Sequence, residues 1–189
     1  ANGFTLGSAN NINQNTHTFA SWSWKGGTAG SGATTGSGTA KTYTANYNVT
    51  AGFSITKYTG NGTAGHTIPH NLGVVPQSII VKRTDTADNW VVYHKTLGNT
   101  HYLELNSTSA QIDNTFWNDT TPTSTVFSVG SDASVNADGG TYIAYIYSGV
   151  EGYSKAGSFV GNGSADGTFI YTGFKTDYVM TKRAIGGSS

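Results

Sequence analysis

The sequence predicts an all-β protein, an antiparallel β-sandwich of jelly-roll or lectin-like type with an internal repeat. Period-two alternation recurs along the chain, and no window holds a helical period. Asn-Gly and Asp-Gly pairs (Asn61-Gly62, Asn162-Gly163, Asp138-Gly139) punctuate it with residues that accept the positive φ of tight turns. The 26 Gly, with much Thr, Ser and Asn, would suit disorder, but an aromatic content of 12% supplies large rings for a core.

In chain order, Gly26 to Gly38 is built from Gly, Ser, Thr and Ala and reads as a surface loop or linker. Lys41 to Val49 alternates Tyr43, Ala45, Tyr47 and Val49 with Thr and Asn, the pattern of a half-buried strand. Ser78 to Val81 and Trp90 to Tyr93 are short apolar runs. His101 to Asn106 sets Leu103 and Leu105 on one face and Tyr102 and Glu104 on the other. Thr125 to Val129 and Thr141 to Tyr147 complete the set.

Composition excludes several classes. A net charge of +0 with 11% charged residues leaves little for phosphate neutralisation, so no nucleic-acid partner is expected. No run of about 18 apolar residues exists, so no membrane-spanning helix is expected. Ala1-Asn2-Gly3-Phe4 lacks the basic and apolar regions of a signal peptide, so any such segment is expected to be removed or never there. With no cysteine there are neither disulfides nor thiolate metal sites.

The most informative feature is self-similarity. Phe4-Thr5-Leu6-Gly7-Ser8 matches Phe127-Ser128-Val129-Gly130-Ser131, and the same offset of 123 residues places Thr18 to Trp24 on Thr141 to Tyr147. Gly52-Phe53-Ser54 and Tyr58 to Gly62 match Gly152-Tyr153-Ser154 and Phe159 to Gly163, and Ser78 to Arg83 matches Tyr178 to Arg183. The chain therefore divides into a partial repeat (1–25), a Gly/Ser/Thr-rich linker with a strand (26–51), a complete β unit (52–150) and a second partial repeat (151–189). The two partial repeats close against the central unit, making 1–189 one compact body, or complete neighbouring chains head to tail, or join further repeats of a longer protein of which this chain is a segment.

Several phrases carry a family resemblance: Asn2 to Gly7, Thr50 to Ile55, Tyr58 to Gly62, Ile68 to Pro76, Trp90 to Lys95, Phe116 to Asp119 and Gly161 to Gly167. In these the chain resembles repeat modules of predicted tail-fibre and other virion structural proteins of marine bacteriophages. The resemblance implies a concanavalin-like β-sandwich on virion appendages, and it brings no catalytic residues with it.

Motifs that suggest chemistry have plainer readings. Gly60 to Gly65 satisfies GxGxxG, but Pro69 opposes the helix a nucleotide fingerprint requires, so a hairpin is expected. Ser154 lies near a nucleophile-elbow pattern, yet its counterpart Ser54 marks a strand start. The only glutamates, Glu104 and Glu151, form no glycosidase pair, and Glu104 reads as a solvated strand residue. His17, His66, His70, His94 and His101 read as turn and strand histidines, because no spacing enforces metal geometry. Asp132 to Gly139 lacks the glutamate of a calcium loop and reads as a polar hairpin loop. The Asn-x-Ser/Thr sequons at Asn48, Asn61, Asn106, Asn118 and Asn162 follow from composition.

Aromatic rings remain as candidate binding elements. Trp22 and Trp24 share a strand face with Ala20, as Tyr145 and Tyr147 do with Ile143; burial is the default for such rings, and sugar stacking the alternative. Trp90 and Trp117, with Asn89, Asn118 and Asp119 nearby in sequence, form the second candidate for carbohydrate. The sequence thus predicts a non-enzymatic virion or extracellular structural or adhesion protein without cofactor or metal. Its expected partners are copies of itself, as a trimer or a head-to-tail filament, other virion proteins and cell-surface glycans. The alternatives are a self-assembling extracellular filament and a carbohydrate-binding module of a secreted enzyme.

Overall fold

The computed structural model describes residues 3–21 and 23–186. Its strands are β1 (Thr28–Ala33), β2 (Thr35–Gly36), β3 (Thr42–Asn48), β4 (Phe53–Thr59), β5 (His66–Pro69) and β6 (Ser78–Arg83). They continue with β7 (Trp90–His94), β8 (His101–Glu104), β9 (Ile112–Asp113), β10 (Val126–Val129) and β11 (Thr141–Tyr147). Two single-turn helices, α1 (Asn10–Asn13) and α2 (Ala133–Asn136), and a 3-10 turn at Thr115–Trp117 complete the elements.

The strands form an eight-stranded sheet, in the order β1-β3-β4-β11-β6-β7-β8-β9, and a three-stranded sheet, β10-β5-β2. Every pairing is antiparallel. Alternation decides which side chains enter the space between the sheets. On β11, Tyr142, Ala144 and Ile146 point inward, and Ile143, Tyr145 and Tyr147 lie on the outer face. The inward set meets Tyr58, Ile79, Val81, Val91, Phe127 and Val129 in one fully buried core. The all-β, antiparallel and sandwich-like character expected from the sequence is therefore present.

Tyrosine hydroxyls fasten α2 under the large sheet. Tyr58 and Tyr142 stack with centroids 5.0 Å apart. Tyr58 Oη donates to the Val135 carbonyl at 2.7 Å, and Tyr142 Oη donates to that of Ala133 at 2.6 Å. These bonds satisfy helix carbonyls that a single turn leaves without partners. Asp132 caps the other end, its carboxylate accepting the Ser134 N–H at 2.8 Å.

Several expectations are corrected. The Gly26 to Gly38 stretch is not a loop: β1 pairs with β3 from Thr28↔Tyr47 to Ala33↔Thr42, and β2 pairs with β5. Its glycines serve close packing, since a Cβ on Gly32 would sit 3.2 Å from the Tyr43 ring and one on Gly30 would sit 2.6 Å from Asn71 Nδ2. The Asn61-Gly62 turn does not close a hairpin, because β4 and β5 belong to different sheets. Asp132 to Gly139 contains α2 rather than an open loop.

The terminal segments, expected as strands of partial repeats, hold no named strand among the described residues. A strand needs a partner, and the place between β4 and β6 that the 18–24 sequence would fit is already held by β11.

Phe127 joins the sheets, meeting Tyr58 edge-on at 6.2 Å. Phe127→Ala should cost about 3–5 kcal/mol in urea unfolding, whereas exposed Thr28→Ala should stay within about 0.5 kcal/mol. A Phe127→Ala loss below about 1 kcal/mol would show that the sheets do not share this core.

Candidate functional site

Two regions concentrate polar or aromatic chemistry, one buried and one on the outer face. The buried one centres on His66, at the start of β5, and Asn136, at the end of α2, both fully inaccessible. Asn136 Nδ2 donates to the carbonyls of Gly130 at 2.7 Å and Thr63 at 2.9 Å, so its Oδ1 faces the other way. That oxygen accepts the Asn61 N–H at 2.9 Å and meets His66 Nδ1 at 2.9 Å. Nδ1 must then carry the proton, leaving Nε2 to accept from the Thr34 hydroxyl at 2.6 Å. Asn61 Nδ2 extends the network to the Ser37 and Thr39 carbonyls.

Burial lowers the pKa of His66, Asn136 offsets part of that, and the nearby Lys41 charge lowers it further. His70 behaves likewise, its burial outweighing the bond from Nε2 to the Thr123 carbonyl. Both ring nitrogens of His70 are engaged, since Nδ1 accepts the Leu72 N–H at 3.3 Å. These residues knit the smaller sheet and α2 to the turns around them. The sequence singled out His66 and His70 as histidines and Asn61 through its Asn-Gly pair; nothing local marked Asn136 or Thr34 as their partners.

The second region is the outer face of the eight-stranded sheet. Ile80, Val92 and Leu103 form a cluster there, with Trp90, Leu105, Tyr145 and Tyr147 packed against it. Trp90 stacks on Tyr145 at 6.1 Å, with Lys82 Nζ 5.9 Å from its ring. At the end of the sheet, Trp24 stacks on Phe53 at 5.6 Å and meets Tyr147 edge-on at 6.4 Å. Tyr153 and Val150 line the same shallow apolar depression. Burial, then Tyr178 and Tyr145, pushes the Tyr147 hydroxyl up to about 12, so it stays protonated at physiological pH.

The residues predicted for carbohydrate do not converge. Trp90 is half-buried on the outer face, but Trp117 is only 1% exposed, inside the core against Tyr93. Trp117 is corrected from a candidate stacking surface to a core residue, because its ring has no accessible side. Asn118 ends the 3-10 turn in a left-handed conformation and bonds Thr120 Oγ1 at 3.3 Å. Asn89 faces Glu104 and Asn106 instead, bonding each. Trp24, where burial was the default, is 46% exposed. Trp22 lies outside the described residues.

Other candidate chemistry is tied up locally. Ser154 Oγ donates to the Ser148 carbonyl at 3.2 Å. Asp138 pairs with Lys41 at 2.9 Å, and Asp85 with Arg83 at 3.0 Å. The Arg83 hydrogen bond holds the Asp85 carboxyl at about 2. Among the described residues no three His, Asp or Glu side chains are placed to hold a metal ion, and no helix is long and apolar enough to cross a membrane.

The two buried histidines set a pH dependence. Their folded pKa values lie below 6.5, so between that value and the folded pKa the unfolded chain binds more protons. Stability is then complete above 6.5 and falls as pH drops through that window. Thermal melts should show a midpoint that is steady from about pH 8 to 7 and declines below about 6.5; a midpoint unchanged down to about pH 5 would contradict the burial of these rings. Asn136→Ala, which removes the partner of the buried Gly130, Asn61 and His66 and of the exposed Thr63, should cost about 2–4 kcal/mol in urea unfolding.

No curated protein and no solved structure matches the chain. A family model does match it, over residues 1–188. By that match the chain belongs to the family described as a domain of unknown function, DUF7483.

Proposed function

We propose that the chain is a non-enzymatic structural or adhesion module of a virion appendage, a tail fibre or decoration protein acting outside the cell. One observation carries the reading. Large apolar side chains stand exposed along both terminal segments, from Phe4 to Trp24 and from Tyr153 to Ile185, beside a fully packed core. Of the exposed large hydrophobics among the described residues, only Val49, Val74 and Val75 lie elsewhere. A surface of that kind fits assembly with another protein body.

The buried histidines support the same reading, because their ring nitrogens hold neighbouring elements together and face no open cleft. The family resemblance drawn from the sequence supplies the particle. On that particle the exposed Trp24 ring, backed by Phe53 and Tyr147, is the surface for a sugar face.

Electron microscopy of the purified protein should show trimers or higher assemblies, and antibody to it should label the appendages of the source particle. Labelling of no particle would reject the appendage reading. On a glycan array the wild type should bind, and Trp24→Ala should reduce binding about ten-fold, in line with the loss of one stacking contact. An array without hits would remove the glycan role and leave the structural one.

A further inference from the structure

The terminal segments, which form no strand among the described residues, nevertheless carry the local geometry of the parts they resemble. At the offset of 123 residues, α1 (Asn10–Asn13) falls on α2 (Ala133–Asn136). Asn13 N–H donates to the Ala9 carbonyl at 2.9 Å, and Asn136 N–H to that of Asp132 at 2.8 Å. Asn13 Nδ2 reaches the Gly7 carbonyl at 2.8 Å, and Asn136 Nδ2 reaches that of Gly130 at 2.7 Å. Thr16 has a φ of 68° where Gly139 has 73°.

The C-terminal segment copies 52–83 in the same way. Gly52, Gly62 and Gly73 have φ of 63°, 71° and 73°, and Gly152, Gly163 and Gly173 have 73°, 68° and 88°. Asn61 Oδ1 accepts the Thr63 N–H at 2.9 Å, and Asn162 Oδ1 accepts the Ser164 N–H at 3.0 Å.

Strand pairing and burial differ. Phe4, Leu6, Ile12 and Phe19 are exposed, and their counterparts Phe127, Val129, Val135 and Tyr142 are fully buried. Phe159, Phe169 and Val179 are exposed, and their counterparts Tyr58, Ile68 and Ile79 are buried. The stacked pair Tyr58–Tyr142 becomes Phe159 and Phe19, both members changing together. Both segments thus keep the turns and apolar faces of a core half and lack the other half.

We infer that residues 3–24 of one copy dock on residues 152–183 of a second copy, with 18–24 lying as a strand between 153–156 and 178–183. The inference deepens the structural-module reading by naming its partner, another copy of this chain. The register is that of β11 between β4 and β6, where Ile146 faces Ser54 and Ile79. Ser23 then faces Ser154 and Val179, and Ser21 faces Thr181. Phe19 stacks on Phe159, and Asn13 bonds Asn162 as Asn136 bonds Asn61.

The partner is a second copy because, although Ser23, Trp24 and Tyr153 line one depression within a chain, the 178–184 stretch that would flank the strand on its other side runs to the opposite edge of the sheet. The N-terminal segment enters at the β1 side, where Gly27 N–H donates to Asn46 Oδ1 at 2.8 Å; no hydrogen bond ties residues 18–21 or 23–25 to the rest. The C-terminal segment ends at the opposite edge. There Lys182 Nζ donates to the Ser107 and Ser109 carbonyls, and the Ala184 carbonyl accepts the Gln111 N–H at 2.8 Å. A donor at one edge and an acceptor at the other make a head-to-tail contact that repeats from copy to copy.

The chain has no cysteine, so single-cysteine variants of the full chain give a clean test. Ser23→Cys mixed with Val179→Cys, and Ser21→Cys mixed with Thr181→Cys, should form disulfide-linked dimers under mild oxidation. Ser23→Cys with Thr181→Cys, displaced by two residues, should give roughly ten-fold less, because Cα atoms more than about 7 Å apart do not bridge. Adding Phe19→Ala to the Ser23→Cys chain should lower the in-register yield, and circular dichroism confirms that every variant is folded. Equal yields for all pairs, or none for any, would overturn the proposal. So would a disulfide formed within monomers of the double variant S23C/V179C, which would place both segments in one chain. A chain that decorates particles as a monomer would fail this test and still label the particle, so the two readings fail separately.

Discussion

Strand β11 enters the large sheet between β4 and β6, and the rest of the molecule is arranged around that insertion. Its hydrogen bonds run to β4 on one side and β6 on the other, joining segments far apart in sequence. Ser148 just beyond it donates through both N–H and Oγ to the carbonyl of Gly52, 96 residues away. Because its inner side chains are Tyr142, Ala144 and Ile146, the same strand supplies the middle of the core. Such non-local pairing forms only when the late part of the chain returns, which makes 52–148 a single cooperative body.

The smaller sheet is held to this body by polar bonds as much as by apolar contact. Two tyrosine hydroxyls secure α2, and Asn136 at its end joins His66 on β5 to the turn at Asn61. A buried polar group without a partner is costly, so these residues specify one arrangement among many that would bury the same apolar area. The histidines belong to that specification, which is why they read better as structural groups than as ligands or bases.

The outer face follows a different rule. Tyr145, Tyr147 and Trp90 are half-covered by one another, and Trp24 and the C-terminal segment lie against the same face. Two segments that repeat the geometry of α2 and of the 52–83 turns, but not their burial, indicate that local turn chemistry forms without a partner while strands do not. A Gly or Asn in a left-handed turn is stabilised by its own backbone; a strand is stabilised by its neighbour.

The sequence by itself determined the class of fold, many strand positions and which side chains of a strand share a face; which face turns to the core it left open. Alternation with period two in Thr141–Tyr147 and His101–Glu104 is a local consequence of pleating and was legible without a structure. Tertiary structure decided what depends on distant neighbours. Gly26 to Gly38 looked like a linker because its residues have no preference of their own; β3 and β5 made it strand. Trp117 and Trp90 looked like one site because both are tryptophans among asparagines, yet one ring faces the core and the other the outer face. The partners of His66, Thr34 and Asn136, come from two separate stretches of chain and Asn61 joins them through Asn136; only folding brings these residues to one point, because a hydrogen bond leaves no periodic trace in the sequence.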